Sequence, residues 1–304
     1  MARVAFLGTP HPAVPTLESI AAKHDVCLVI TQPDRPQGRS KEPQPPPVKS
    51  TARRLDLEVS QPSSHSELLG ALEAAAPLDV GVVVAYGRVI RPDALRVPHH
   101  GFLNVHFSLL PRWRGAAPVV RALMAGDTMT GTTIMKLDEG LDTGPVITAQ
   151  AIDVDPEESA GELTDRLSRM GARLLDQSIE PYLAGDLVPI PQTDEGATYA
   201  DKVESSDRPI QPWDDVRSAV NKVRALAPDP AATLSIDGEQ HKLLAVAAAD
   251  VSPPQGRWQL VQGIPVAGLA DGAIELTSIQ PPGKTAMSGA DWARGRRESA
   301  GTIG

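Results

Sequence analysis

Short, almost uniformly apolar runs alternate with amphipathic stretches through the first half of the chain. Residues 3–7 and CLVIT at 27–31 are too short for helices and too continuously apolar for half-exposed strands, which predicts strands covered on both faces. DVGVVVAY at 79–86, rich in β-branched residues, reads as the central strand of a sheet. Further strands fit 102–107 and 131–137. Between them, helices are expected from about Val14 to Ala22, from Val48 to Leu55, near 65–75 and from Ala160 to Leu183. Strands and helices alternating at this spacing imply βαβ units and a mainly parallel sheet. From about Val188 the pattern changes. Pro189, Pro191, Pro209 and Pro212 with scattered charge read as a linker crossing a surface. After a short helix near 214–226, short strands separated by Asp-Gly, Pro-Pro-Gln-Gly and Asp-Gly turns predict a small β-barrel.

Composition narrows this picture. A hydrophobic content of 41% is enough for a buried core, and only 3% aromatics means that Ala, Val, Leu and Ile must fill it. The formal charge of −9 argues against indiscriminate nucleic-acid binding while leaving room for a local basic patch. One cysteine, Cys27, cannot form an internal disulfide and fits a reducing compartment. The N-terminus has no secretory h-region, and no apolar run approaches the ~18 residues of a membrane helix. A soluble cytoplasmic protein with no membrane association is expected. The first turn carries Gly8 alone where a dinucleotide fingerprint needs three glycines, so no NAD is expected. No metal is expected either. His99 and His100 project to opposite faces of an extended chain, and no Cys or Glu completes a ligand set with His106.

Two stretches carry candidate chemistry. In NVHFSLLPRWRGAAPV (104–119) a strand would point Asn104 and His106 to one face and Val105 to the other. That strand ends at Ser108, and ligands of open α/β sheets sit beyond the carboxyl ends of strands. In GTTIMKLDEGLDTGPV (131–146) a tight loop places Asp142 between Gly140 and Gly144. Taken singly, each stretch reads equally as turn chemistry: a strand-end Asn and His, and an Asp between glycines.

Together they resemble the folate-dependent formyltransferase superfamily, through the Asn-x-His pair, the Ser-Leu-Leu-Pro loop and the Leu-Asp-Thr-Gly loop. Three further segments resemble the branch of that superfamily that acts on methionyl-tRNA: TQPDRPQGRSKEPQPPPVK (31–49), PRWRGAAP (111–118) and QPPGKTAMSG (280–289). The resemblance runs almost end to end. It implies an α/β fold with a Rossmann-like N-terminal formyltransferase domain over 1–187, a linker over 188–206, and a smaller OB-like β-barrel domain over 207–304 that binds tRNA. It implies catalysis by Asn104, His106 and Asp142. It further implies folate binding by Ser108, Leu109, Leu110 and Pro111, by Arg88 and Ile90, and by Asp138, Glu139, Gly140 and Leu141. Arg35, Arg39, Lys41, Arg112 and Arg114 are implied to contact tRNA. The formyl donor would be 10-formyltetrahydrofolate, the partner initiator methionyl-tRNA, and the enzyme a monomer. Phe107 departs from the family's pattern, which has a small residue there.

Positive charge gathers where that reading needs it. Arg35, Arg39, Lys41, Lys49, Arg53 and Arg54 lie in and after the Pro-rich loop, Arg112 and Arg114 beside the site, and Arg294, Arg296 and Arg297 near the end. A loop this long in a compact domain is uncommon unless it is functional.

Overall fold

The computed structural model describes residues 1–36 and 42–304, which form two compact units. The first comprises Met1–Pro118, Met129–Asp153 and Thr164–Ala200. The second comprises Val119–Thr128, Val154–Leu163 and Asp201–Gly304.

A seven-stranded sheet forms the heart of the first unit. Its order is Val146–Asp153, Met129–Lys136, Phe102–His106, Val80–Val84, Arg3–Gly8, Asp25–Ile30 and Val59–Ser60. The last five of these run parallel, as helical crossovers require. Met129–Lys136 runs antiparallel to both its neighbours. The loop joining it to Val146–Asp153 is too short for a crossover, so that pair has to be a hairpin.

Strand parity sorts the core into two layers. Val4, Phe6, Val80, Val82, Val84, Leu103 and Val105 share one buried cluster with Leu17 and Ile20 of helix Val14–Ala21 and Leu175 and Ile179 of helix Ala160–Ala184. Ala5, Leu7, Val83 and Phe102 share the other with Leu68 and Leu72 of helix His65–Ala75. Gly81 is needed here, because a Cβ at that position would lie 2.1 Å from the Phe102 ring. Burial of Val80–Val84 and Phe102–His106 on both faces explains why their sequences do not alternate.

The proline-rich stretch after Val188, expected as a surface linker, is stitched to this unit as far as Ala200. Ile190 bridges Val146 in antiparallel fashion, and Tyr199–Ala200 pairs in parallel with Arg114–Gly115. In the basic loop, among the described residues, Arg35–Pro36 pairs only with Pro43–Gln44. Proline cannot donate to an interior ladder, which confines this pairing to a two-stranded ribbon. Helix Pro47–Arg54 follows, its first residue a proline with φ already set for the helix.

In the second unit the strands Ala232–Ile236, Glu239–Ala248, Ala273–Gln280, Ile264–Gly268, Arg257–Val261 and Ala300–Thr302 pair in that order, all antiparallel. Ile236 of the first strand bridges Ile303, just past the last strand, so the sheet curls round on itself as an OB-like half-barrel. Asp237 and Gly238 both have positive φ, 50° and 83°, making the tight turn anticipated from Asp-Gly. Helix Val216–Leu226 buries Ala219, Val223 and Leu226 in the barrel's core. Val120 and Met124, from a segment far upstream, pack on the same cluster. Arg121 pairs with Asp207 at 2.9 Å. Among the described residues no helix is long and apolar enough to cross a membrane.

Candidate active site

Beyond the carboxyl ends of the parallel strands, the first unit holds a cavity of about 540 Å³. Asn104 and His106 reach it from the end of strand Phe102–His106, on the face opposite the buried Leu103 and Val105 side chains. They are 8% and 5% exposed. Asp142 reaches the same wall from the loop between the two antiparallel strands. Its backbone is left-handed, φ 51°, a conformation that costs most L-residues about 1–2 kcal/mol and that Asp tolerates better than most.

Hydrogen bonds hold the three side chains together. Asp142 Oδ2 accepts from the Gly115 N–H at 2.8 Å, and Oδ1 accepts from Asn104 Nδ2 at a long 3.4 Å. His106 Nδ1 lies 3.8 Å from Asp142 Oδ2. The other ring nitrogen, Nε2, is 2.9 Å from the Trp113 carbonyl. A carbonyl only accepts, so Nε2 carries a proton, and Nδ1 is the ring nitrogen turned toward Asp142. Nδ1 is therefore the ring position at which a proton can be taken up or given back. Asn104, whose second amide hydrogen is uncommitted among the described contacts, is the neutral donor of the trio.

The loop carrying Asp142 is tightly wound. Asp138 Oδ1 accepts from the Gly140 N–H at 3.0 Å and from Thr143 Oγ1 at 2.9 Å. A Cβ at Gly144 would lie 1.9 Å from the Lys136 carbonyl, so only glycine lets the two strands approach. Arg88, Ile90, Asp138, Glu139, Gly140 and Leu141 line the cavity. Arg88 also donates to the Pro62 carbonyl at 2.8 Å.

Ser108, Leu109, Leu110 and Pro111 are not among the residues lining that wall. Ser108 is 1% exposed and its hydroxyl donates to the Arg112 carbonyl. Thr133 Oγ1 donates to the Ser108 carbonyl and accepts from the Leu110 N–H, tying this turn down onto the neighbouring strand. Phe107 lines the cavity and also packs on the first core cluster.

The structure revises the expected set of tRNA-contacting cations. Arg39 and Lys41 lie outside the described residues, and Arg35 is exposed in its short ribbon. Arg112 stacks over the Trp113 ring at 4.4 Å. Arg114 is no surface cation: it is 2% exposed, with its guanidinium spent on Gln192, Thr193 and Asp194. Lys49 is also buried, at 2.7 Å from both oxygens of Asp34 and 2.6 Å from Gln61 Oε1. The ammonium holds the Asp34 carboxyl below its ordinary range.

Sequence reasoning missed four contributors. Gly115 supplies an N–H, Trp113 a carbonyl, and Gln192 donates to two carbonyls of the Asp142 loop. Tyr86 lines the cavity with a buried hydroxyl that has no partner among the described residues, and burial raises its pKa. Of these, Trp113 and Gly115 lie within the PRWRGAAP segment. Among the described residues no cluster of His, Cys, Asp or Glu is placed to hold a metal.

Comparison with known proteins gives the family. Residues 2–179 match the formyl transferase model, and residues 202–297 match that of the formyl transferase C-terminal domain. A methionyl-tRNA formyltransferase of Halorhodospira halophila is 44% identical, covering 97% of each chain. One from Jannaschia sp. is 42% identical over 99% of each. HypX from Aquifex aeolicus, solved in complex with tetrahydrofolic acid, superposes with a TM-score of 0.64 at 18% identity. That match spans 96% of this chain but only 46% of HypX, and it speaks to the fold alone. With a family model over more than half of its length and relatives above 40% identity from end to end, this chain belongs to the formyl transferase family.

Proposed function

We propose that the chain, acting as a cytoplasmic monomer without metal or nicotinamide, transfers the formyl group of 10-formyltetrahydrofolate to the α-amino group of initiator methionyl-tRNA. The observation that carries this reading is the meeting of Asn104, His106 and Asp142, from two separate segments, on one wall of the cavity. Methionyl-tRNA formyltransferases that match over nearly the whole chain support the choice of acceptor.

The cavity suits a folate. Its volume lies within the ~300–1,000 Å³ of small-molecule sites. Val83, Ile90 and Leu141 offer apolar wall, while Arg88, Tyr86 and the loop backbone offer polar edges. The donor supplies an electrophilic formyl carbon on a nitrogen leaving group. A free α-amino group titrates near ~7.7, so part of the acceptor is a neutral nucleophile at pH 7. Asn104 Nδ2 donates to the formyl oxygen as it gains charge. His106 Nδ1 takes the proton that the amine loses, directly or through a water, and returns it to the leaving nitrogen. Asp142, 3.8 Å from that nitrogen, compensates the positive charge the ring carries in between. No serine or cysteine nucleophile is needed, because the amine itself attacks. Ser108 is committed to the Arg112 carbonyl and has no adjacent base to activate it.

The test offers 10-formyltetrahydrofolate together with methionyl-tRNA, glycinamide ribonucleotide or an amino-sugar nucleotide. Formyl transfer to methionyl-tRNA with the highest kcat/KM is expected. A higher kcat/KM on either other amine would overturn the assignment of the acceptor.

A further inference from the structure

The catalytic loop is gripped by a residue well outside the recognisable segments. Gln192 Nε2 donates to the Asp142 carbonyl at 2.9 Å and to the Gly144 carbonyl at 2.7 Å. Its Oε1 accepts from Arg114 Nε at 3.0 Å. The amide orientation is dictated by its partners: a guanidinium only donates and the two carbonyls only accept, so the flipped amide would face like against like at all three contacts. Both N–H donors and the carbonyl oxygen of Gln192 are thus used.

Arg114 is fixed in turn. Nη1 reaches Asp194 Oδ1 at 3.1 Å and Nη2 the Thr193 carbonyl at 3.2 Å. Its backbone pairs in register with Tyr199. A guanidinium 2% exposed has to be fully partnered, and the Gln192–Asp194 segment is what partners it. The next residue, Gly115, donates its N–H to the Asp142 carboxylate. Gly115 has φ 124°, and a Cβ there would lie 2.8 Å from the Ala200 carbonyl, so the close approach of the two short strands requires glycine. Arg114–Gly115 and the Gln192–Asp194 segment bonded to Arg114 therefore hold both ends of Asp142, its side chain through Gly115 and its backbone through Gln192.

We infer that Gln192, held by buried Arg114, is a positioning residue for Asp142: it clamps the left-handed loop so that the carboxylate faces His106 and Asn104. The inference rests on the catalytic reading of Asp142. Gln192 touches no substrate atom in this scheme, so its removal should lower turnover and leave donor binding alone.

The experiment measures kcat, both KM values and thermal melting for Gln192→Met, Asp142→Ala and the double variant. Met matches Gln in length and removes all three hydrogen bonds. Misplacing a reacting group by ~1 Å can cost about a hundredfold in rate. Gln192→Met should accordingly lose about ten- to a hundredfold in kcat, with the KM for 10-formyltetrahydrofolate unchanged. In the Asp142→Ala background the same substitution should cost nothing further, whereas a general structural defect would add its loss there as well. Gln192→Glu keeps the Arg114 acceptor and drops both donors. It should show the same fall in kcat, and it carries the test if the Met variant melts early. An inactive Asp142→Ala beside a fully active Gln192→Met overturns the inference alone, as does a full additional loss in the double variant. Wild-type turnover by Asp142→Ala removes the catalytic reading, and this inference with it.

Discussion

Replacing Asn104 by Ala isolates electrostatic help to the transferring carbonyl. Asn104 is the middle residue of the fully buried strand Phe102–His106, 8% exposed, and its one described side-chain hydrogen bond is the long 3.4 Å contact to Asp142. Asp142 keeps the shorter Gly115 N–H bond at 2.8 Å when Asn104 is truncated, so the carboxylate stays in place. The stability loss should then stay near ~1 kcal/mol, the net worth of an ordinary hydrogen bond. The effect on rate is larger, because a preorganised donor acts on charge that develops only in the transition state. Loss of one such donor costs about 2.7–4 kcal/mol, or roughly 10²–10³ in kcat. The KM for the folate should hardly move, since the ground-state carbonyl makes little use of the donor. Asn104→Asp is the sharper control: it preserves shape, removes the amide donor and sets a second carboxylate against Asp142. It should be at least as impaired as the alanine variant. Single-turnover formylation of methionyl-tRNA at saturating donor measures the chemical step directly. Either variant working within a few-fold of wild type would refute the role given to Asn104.

The remaining expectations concern charge. Arg39→Ala should weaken tRNA binding and flatten the dependence of log affinity on log salt by about one unit, the loss of one phosphate contact. Lys49→Met should leave that slope unchanged, because the ammonium is already paired internally with Asp34 and Gln61; a flattened slope would show that it reaches the tRNA. In the barrel, His241 Nδ1 faces the Glu239 carbonyl and Nε2 accepts from Trp292 Nε1, so the ring is held neutral. Burial lowers its pKa, so below the unfolded value of ~6.5 the unfolded chain binds the extra proton first. Melting of the C-terminal unit should be insensitive to this group above that pH and should weaken as pH falls below it. His24, lowered by burial as well, adds to the same trend in the first unit. A melting temperature that stays level from pH 7.5 to 5.5 would contradict both.

Much of the first unit was legible because burial on both faces leaves a readable trace. Continuous apolar runs marked the strands Arg3–Gly8, Asp25–Ile30 and Val80–Val84, and helical spacing located Val14–Ala21 and Ala160–Ala184 to within a residue or two. Period-two parity alone put Asn104 and His106 on one face, and Gly140 and Gly144 marked the bend around Asp142. Asp237-Gly238 likewise announced its hairpin, since a turn with two positive φ angles restricts the residues that can form it. These features depend on the chain's immediate neighbours.

Tertiary structure alone decided what distant pairing controls. Arg114 reads as one more surface cation until Tyr199–Ala200 pairs with Arg114–Gly115 and covers it, and the same pairing brings Gln192 to the Asp142 loop. Nothing local distinguishes Gln192 from any polar residue between prolines. Residues 119–128 and 154–163 lie within the formyltransferase half of the sequence yet pack with the second unit. Helical spacing specifies which face is apolar but not which core receives it. Burial, and with it the meaning of a charge, is a property of the surface that closes over a residue, and here that surface comes from chain some eighty positions away.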